Sequence, residues 1–161
     1  MVDEVIKICR ERGLKIAIME SLTGGLVADE FITIEGVSDV FIGSVVAYQD
    51  ELKSYMANVS PSLIHSQSAV DAEVASQMAA GIRSRFAQMM NLKEESVVGV
   101  STTGVAGPEA VGDHPVGELY IGISIWGGES VYSYRLEGDR QQIRDQACEK
   151  AIEALREQLK Q

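Results

Sequence analysis

The sequence contains few histidines and cysteines, and this shortage argues against several kinds of site. The only histidines are His65 and His114, and the sequence suggests no carboxylate partner for either, so a Ser-His-Asp triad has little support. Cys9 and Cys148 lie in different helical patterns without a CxxC spacing, which predicts two reduced, buried thiols. Since no cluster of histidines, cysteines and carboxylates has metal-binding spacing, we expect neither a metal ion nor another cofactor.

Basic residues and long apolar runs are also scarce. Fourteen basic residues against 24 acidic ones give a net charge of −10, which disfavours a nucleic-acid partner. A small phosphorylated ligand remains compatible with this charge, because it needs only a few local donors. No apolar run approaches the roughly 20 residues of a membrane span, and the first residues lack a basic signal region. We therefore expect a soluble, cytoplasmic protein.

The apolar residues that are present predict a single α/β domain over residues 1–161. Hydrophobic residues make up 45% of the chain, enough for one sizeable core. Strand-like runs alternate with helical patterns, and the last two runs are joined by Gly127-Gly128, a signal of an antiparallel hairpin. These patterns predict a three-layer α/β/α domain with a mixed sheet. The predicted strands cover 15–19, 41–48, 96–101, 118–126 and 129–136, and the helices 2–9, 23–33, 50–57, 71–89 and 139–159.

Ser21 is the first candidate for chemistry. It follows an apolar strand and precedes Gly24 and Gly25, where a helical pattern begins. A hydroxyl at this junction would lie beside the unpaired N–H groups of a helix amino terminus, which can stabilise an oxyanion or a phosphate. A serine nucleophile needs a base, and with histidine disfavoured the alternative is a lysine with a depressed pKa. Lys53, close after the second strand, is the candidate for this role, and a solvated surface lysine is the alternative.

A second glycine-bearing segment follows the third predicted strand. Residues 102–108 read Thr-Thr-Gly-Val-Ala-Gly-Pro, which matches neither a Walker A loop nor a GxGxxG motif. Its backbone N–H groups could still hold a phosphate, with Arg140 at the start of the last helix supplying positive charge. The alternative is a tight turn and a solvated arginine.

Five segments in register resemble the carboxy-terminal domain of the CinA (competence/damage-inducible) family over nearly the whole chain. They are Glu20-Ser21-Leu22-Thr23-Gly24-Gly25, Val46-Ala47-Tyr48-Gln49-Asp50-Glu51-Leu52-Lys53, Thr103-Gly104-Val105-Ala106-Gly107-Pro108, Pro115-Val116-Gly117 and Gly138-Asp139-Arg140. That family includes nicotinamide-nucleotide amidohydrolases, which convert nicotinamide mononucleotide to nicotinic acid mononucleotide and ammonia. The resemblance thus implies a metal-independent amidase with nicotinamide mononucleotide, or a similar small phosphorylated amide, as its substrate.

The resemblance also implies roles for individual residues. Ser21 matches the family's nucleophile, Lys53 its general base, and Tyr48 the tyrosine that precedes this lysine. The implied substrate-binding residues are Thr23, Gly24, Gly25, Thr103, Gly104, Ala106, Gly107 and Arg140. In the implied mechanism, Ser21 attacks the carboxamide and backbone N–H groups near 23–25 or 103–104 hold the oxyanion.

Two other readings stay open from the sequence. The loop at 107–117 carries Glu109, Asp113 and His114 where relatives have a glycine-richer loop with a lysine, which allows a hydrolase of another small amide. A catalytically silent nucleotide-binding or interaction module is the other reading. The hairpin leaves an exposed sheet edge, which favours a homodimer.

Overall fold

In a computed structural model that describes residues 1–161, one five-stranded mixed sheet lies between two layers of helices. The predicted α/β/α architecture with its carboxy-terminal hairpin is therefore confirmed. The strands are β1 (Lys15–Glu20), β2 (Phe41–Val46), β3 (Val97–Gly104), β4 (Glu118–Ile125) and β5 (Gly128–Arg135). The helices are α1 (Val2–Arg12), α2 (Leu26–Ile32), α3 (Asp50–Ala57), α4 (Pro61–Gln67), α5 (Ala72–Met89) and α6 (Arg140–Leu159).

The order of the strands creates a crevice at one edge of the sheet. The order is β2-β1-β3-β4-β5, with β1 parallel to both β2 and β3 and the remaining pairs antiparallel. The chain leaves β1 through α2 to reach β2 on one side, and returns through α3 to α5 to reach β3 on the other. Ligands of open α/β sheets bind outside the carboxyl ends of strands at such a reversal. The crevice lies beyond Glu20 and Gly104, the last residues of β1 and β3.

The period-2 alternation along the strands divides the core between the two faces of the sheet. On one face α1, α2 and α6 cover side chains that include Ile16 and Ile18. On the other face α5 covers Ala17 and Met19. Alternate residues of a strand point to opposite faces, so the apolar residues 16–19 of β1 are buried on both sides, as expected for a central parallel strand.

Helix α5 packs closely on the sheet because two strand positions lack a side chain. A Cβ atom on Gly99 would lie 2.0 Å from the Ala79 carbonyl oxygen, and one on Gly122 would lie 2.2 Å from that of Ala75. Met78 of this helix is fully buried in the core, whereas Met89, its last residue, is 70% exposed.

Several predicted boundaries differ from the structure. The hairpin turn is Trp126-Gly127 rather than Gly127-Gly128, since Gly128 pairs with Ile125 in the ladder. Both turn residues have positive φ, 52° and 78°, as a two-residue turn between twisted strands requires. The segment after Ser60, predicted to be a turn, forms α4 with the Ser60 hydroxyl as its cap.

The first two junctions near the crevice also differ from the predictions. Helix α2 begins at Leu26 rather than near Thr23, because Gly24 and Gly25 have left-handed φ values of 59° and 103°. Strand β3 continues through Gly104, because pairing with β4 extends to Leu119. The predicted loop at 102–104 is therefore the end of a strand.

Two further expectations concern the cysteines and the membrane. Cys9 and Cys148 are free and buried, as predicted, and burial raises the pKa of each thiol to about 12. No helix combines the length and the apolar character that crossing a membrane would need.

Candidate active site

A cleft of about 270 Å³ lies at the carboxyl ends of β1, β2 and β3, where most of the predicted site residues come together. The predicted residues that line it are Ser21, Tyr48, Lys53, Thr103, Gly104, Ala106, Gly107 and Arg140. Thr23, Gly24 and Gly25 lie beside the cleft but do not line it. The parallel pairing explains this convergence, because it brings the ends of three strands to one edge.

Ser21 is the first residue after β1 and is anchored through its backbone. Its N–H donates to the carbonyl oxygen of Thr102 at 3.1 Å, which continues the β1–β3 ladder by one residue. The Ser21 side chain makes no hydrogen bond with the protein, and its oxygen is not among the buried atoms that lack a partner. The hydroxyl therefore opens into the cleft, where a substrate can reach it.

Lys53 enters the same cleft from α3 and is 1% exposed. Its Nζ donates to the Ala47 carbonyl at 2.9 Å and lies 3.4 Å from the Tyr48 carbonyl and 3.5 Å from Asp50 Oδ1. Burial lowers the pKa of Lys53 from its ordinary value, while Asp50, Tyr48 and Glu51 act in the opposite direction. A lowered pKa is what a lysine needs to act as a base.

No hydrogen bond joins Lys53 Nζ to Ser21 Oγ in this structure. The ammonium group is instead directed at the backbone carbonyl that follows β2. To take a proton from the serine, the neutral amine has to come within hydrogen-bond distance of Ser21 Oγ. Catalytic hydrogen bonds are often long before a substrate is bound, so this arrangement is compatible with a Ser-Lys pair.

The turn after Ser21 corrects the expectation for Gly24 and Gly25. The Gly25 N–H donates to the buried carboxylate of Glu20 at 3.0 Å, and the Gly24 N–H donates to the Ser21 carbonyl at 3.1 Å. Glu20 also accepts hydrogen bonds from the Thr23 hydroxyl and from the first N–H groups of α2. The amino terminus of α2 is thus occupied by this carboxylate and cannot serve as the oxyanion site.

The backbone N–H groups of Leu22, Ala106 and Gly107 line the cleft and have no acceptor within the protein. Leu22 directly follows the candidate nucleophile, the position that supplies an oxyanion donor in nucleophile elbows. Ala106 and Gly107 are consecutive, and Gly107 has a φ of 86°, a pattern that can form a backbone nest for an anion.

Arg140 closes one end of the cleft. It is the first residue of α6, where Asp139 forms the predicted N-cap as part of a capping box with Gln142. Its guanidinium donates to the Gly107 carbonyl and to the Tyr48 hydroxyl, the latter at 3.1 Å. The segment after β2, the loop after β3 and the start of α6 are therefore joined through this one cation.

Thr103 and Gly104 line the cleft at the end of β3, the strand that pairs with β1. The Thr103 hydroxyl donates to the Ala69 carbonyl at 2.7 Å, which ties β3 to the segment between α4 and α5. A Cβ atom on Gly104 would lie 2.5 Å from the Glu118 carbonyl and 3.3 Å from Leu22. This hydroxyl is already bonded, so Thr103 shapes the cleft rather than offering a free donor.

Sequence reasoning missed several residues of the cleft. The cleft is lined by Ser68, Ala69 and Val70, which were missed because the segment between α4 and α5 carries no motif. Asp50 also lines it and contacts Lys53. The i, i+3 spacing of Asp50 and Lys53 at the start of a helix was a signal that could have shown this contact.

His114 has a carboxylate partner that the sequence did not suggest. Its Nδ1 lies 3.3 Å from both carboxylate oxygens of Glu118. The other ring nitrogen, Nε2, lies 3.3 Å from the Gln67 carbonyl rather than near a serine. The pair therefore does not build a Ser-His-Glu triad; it ties the loop at 107–117 to the end of α4.

A larger groove of about 400 Å³ lies between α1, α2 and α6, away from these residues. Carboxylates dominate its polar lining, with Asp29, Glu30, Asp145 and Glu149 among them. Such a surface repels a phosphorylated ligand. Its thiol, Cys148, is a poor nucleophile because burial raises its pKa to about 12, so the cleft at the strand ends remains the candidate active site.

Comparisons with known proteins found similar sequences and similar folds. The sequence model of the CinA C-terminal domain matches residues 1–159. A CinA-like protein of Frankia casuarinae is 37% identical over 155 residues, which cover 96% of this chain and 34% of the relative. The chain spans 34% to 37% of the length of the first curated relatives that it matches.

Two solved structures show the same fold. The crystal structure of a competence-damaged protein (CinA) superfamily protein from Enterobacter cloacae aligns with a TM-score of 0.88 and 23% identity, covering 98% of this chain and 89% of that one. A competence/damage-inducible protein of Agrobacterium tumefaciens aligns with a TM-score of 0.80 and 27% identity, covering 98% of this chain and 96% of its own.

Proposed function

The chain belongs to the family of the CinA C-terminal domain, and from this premise we propose that it is a nicotinamide-nucleotide amidohydrolase. The reaction converts nicotinamide mononucleotide and water to nicotinic acid mononucleotide and ammonia. One observation carries the proposal: an accessible, unpartnered Ser21 hydroxyl and a buried Lys53 of lowered pKa line the same cleft. A nucleophile next to a tuned base is the arrangement that covalent amide hydrolysis requires.

Acylation begins when neutral Lys53 accepts the proton of the Ser21 hydroxyl. The serine oxygen attacks the carboxamide carbon, and the Leu22 N–H, free of any protein acceptor, stabilises the oxyanion. Protonated Lys53 then delivers its proton to the departing nitrogen. Ammonia leaves, the C–N bond is broken, and the nicotinoyl group remains on Ser21 as an ester.

Deacylation repeats these steps with water as the nucleophile. Lys53 accepts a proton from water, the hydroxide attacks the ester carbon, and Lys53 returns the proton to Ser21 as the carboxylic acid departs. Because one lysine serves as both base and acid, its pKa has to lie closer to the working pH than that of an exposed lysine. Its burial provides this shift.

The phosphate of the substrate is held at the Arg140 end of the cleft. The N–H groups of Ala106 and Gly107 and the Arg140 guanidinium supply donors of the kind that phosphate oxygens prefer. Binding energy gained there orients the distant carboxamide at Ser21. Tyr48 positions Arg140 through its hydroxyl.

The test is product formation from nicotinamide mononucleotide, with a metal chelator present throughout. The wild-type protein should release ammonia and nicotinic acid mononucleotide in equal amounts, and Ser21→Ala and Lys53→Met should each lose at least about 10³-fold in kcat. Thr33→Ala, an exposed hydroxyl deletion away from the cleft, is the matched control for Ser21→Ala. A wild type that releases no ammonia, or a fully active Ser21→Ala variant, would overturn the proposal.

Hydrolysis of another small amide is the second candidate, and Glu109 is the observation that favours it. This carboxylate lines the cleft together with Arg140 and reduces the local positive charge. Nicotinamide riboside, which lacks the phosphate, separates the two readings. Equal kcat/KM values for the riboside and the mononucleotide would favour the second candidate.

A further inference from the structure

Arg144 lies outside the cleft but donates hydrogen bonds to the turn that follows Ser21. It extends from α6, and its Nε donates to the Leu22 carbonyl at 2.9 Å while one terminal nitrogen donates to the Thr23 carbonyl at 3.1 Å. The other terminal nitrogen donates to the side chain of Gln141 at 2.8 Å. The guanidinium fork thus holds two consecutive carbonyls directly after the candidate nucleophile, more than 120 residues away in sequence.

The acceptors of all three hydrogen bonds from the Arg144 guanidinium are neutral groups. No carboxylate lies within salt-bridge distance of it, in contrast to Arg10 and Arg156, which pair with acidic side chains. Hydrogen bonds from an ionised donor are about twice as strong as those between neutral groups. The carbonyl groups of this turn therefore bind the Arg144 guanidinium without competition from a carboxylate.

The peptide groups involved have a fixed relation to the cleft. In a trans peptide the C=O and N–H bonds point in opposite directions, so holding the Leu22 carbonyl toward α6 turns the Thr23 N–H away from α6. The preceding peptide is fixed from the other side, because the Ser21 carbonyl accepts the Gly24 N–H. Gly24 itself has a φ of 59°, and a Cβ atom there would lie 3.2 Å from the Arg144 guanidinium.

We propose that Arg144 is a positioning residue: it fixes the Leu22–Thr23 peptide and, together with the Gly24–Ser21 hydrogen bond, thereby fixes the direction of the Ser21 hydroxyl and the Leu22 N–H. This role rests on the proposed amidase function. Arg144 does not line the cleft, so it contributes nothing to the binding of the ground-state substrate. Its loss should lower kcat rather than raise KM, because small misplacements of reacting groups slow the chemical step.

The experiment compares Arg144→Met, Arg144→Lys and Arg10→Met. Arg10 is the matched control, since it also binds a backbone carbonyl, that of Gly36, but lies at the opposite edge of the sheet. Ammonia release gives kcat and KM, and hydrogen–deuterium exchange of residues 21–28 reports the rigidity of the turn. A folded-fraction measurement by circular dichroism corrects each kcat.

For Arg144→Met we expect kcat to fall by about 10²-fold with KM changed by less than about threefold, and exchange in residues 21–28 to accelerate. Arg144→Lys should recover part of kcat, since a single ammonium can reach one of the two carbonyls. Arg10→Met should leave both readouts of the turn unchanged. Unchanged kcat or unchanged exchange in Arg144→Met would overturn the proposal.

Failure of the proposed function gives a different result. A wild-type protein without ammonia release overturns both the amidase and the catalytic consequence of Arg144. Accelerated exchange in Arg144→Met would then still show that Arg144 holds the turn. An active wild type with an unaltered Arg144→Met variant overturns the positioning role alone.

Discussion

The pKa of Lys53 is set by two opposing influences within one cleft. Burial favours the neutral amine, whereas the carboxylates of Asp50 and Glu51 and the phenol of Tyr48 favour the ammonium. Asp50 is the only carboxylate in contact with Nζ, at 3.5 Å, and its side chain is 55% exposed. Water screens this pair, so burial prevails and the pKa lies below its ordinary value.

Removal of the Asp50 charge should move the activity profile to lower pH. In the proposed mechanism the neutral form of Lys53 is the base, so activity should rise as pH increases through its pKa. Asp50→Asn removes an influence that raises this pKa, so the rising limb of kcat/KM should shift toward acid. The measurement is ammonia release across a pH series, with Asp29→Asn, an exposed change outside the cleft, as control. A shift toward alkaline pH would contradict the assignment of Lys53 as the base.

Among individual residues, the candidate nucleophile and base could be found from the sequence, whereas the hydrogen bonds around them could not. The places of Ser21 and Lys53 in the cleft were predictable because Ser21 directly follows β1 and Lys53 lies on the helix that follows β2. The occupation of the α2 amino terminus by Glu20 was not predictable, because it depends on how a buried side chain folds back on its own turn. The contact from Arg144 was equally hidden, since it joins segments at opposite ends of the chain.

Among the elements, the loop at 107–117 influences the electrostatics at the end of the cleft where we propose that the phosphate binds. Glu109 lines the cleft, whereas Asp113 is exposed at the tip of the same loop and does not. The His114–Glu118 pair and the Val111–His114 bridge hold the loop in place. A carboxylate close to a bound phosphate repels it, so this loop should weaken binding of the mononucleotide.

Glu109→Gln should therefore lower KM for nicotinamide mononucleotide by about threefold without changing kcat, as expected for one exposed charge near a phosphate. The KM for nicotinamide riboside should stay the same, because that substrate carries no phosphate. Asp113→Asn is the matched control and should alter neither constant. Equal changes for both substrates would show that the phosphate does not lie near Glu109.

The contact between α5 and the sheet gives a prediction on stability. A methyl group on Gly122 would lie 2.2 Å from the Ala75 carbonyl, so α5 would have to move away from β4. We expect Gly122→Ala to lower the free energy of unfolding by about 3 kcal/mol in urea titrations. Gly128→Ala is the control, since its Cβ would meet only the Ile125 carbonyl, at 3.9 Å. Equal stability of the two variants would contradict the close packing.

The types of the elements were predictable except for α4, and their ends were not. Apolar alternation and capping residues indicated every strand and the helices after Asp71 and Asp139. The turn at Trp126 was missed because a tryptophan with positive φ is uncommon and only the ladder register determines it. Boundaries depend on pairing with other segments, which a local pattern does not contain.

At the scale of the whole molecule, strand order produces the site. Parallel pairing of β1 with both β2 and β3 brings the residues after three strands to one edge. The overall charge of −10 is concentrated elsewhere, including the groove between α1, α2 and α6, while the cleft retains Lys53 and Arg140. An acidic protein can thereby offer a phosphorylated substrate a local set of donors.

The proposed acyl group on Ser21 is measured most directly by mass spectrometry of the protein quenched in acid during turnover of nicotinamide mononucleotide. The wild type should yield a nicotinoyl nucleotide ester on the peptide that contains Ser21, and Ser21→Ala should yield none while releasing no ammonia above background. Turnover by the wild type with an ester on another residue, or ammonia release by Ser21→Ala at the wild-type rate, would contradict the account.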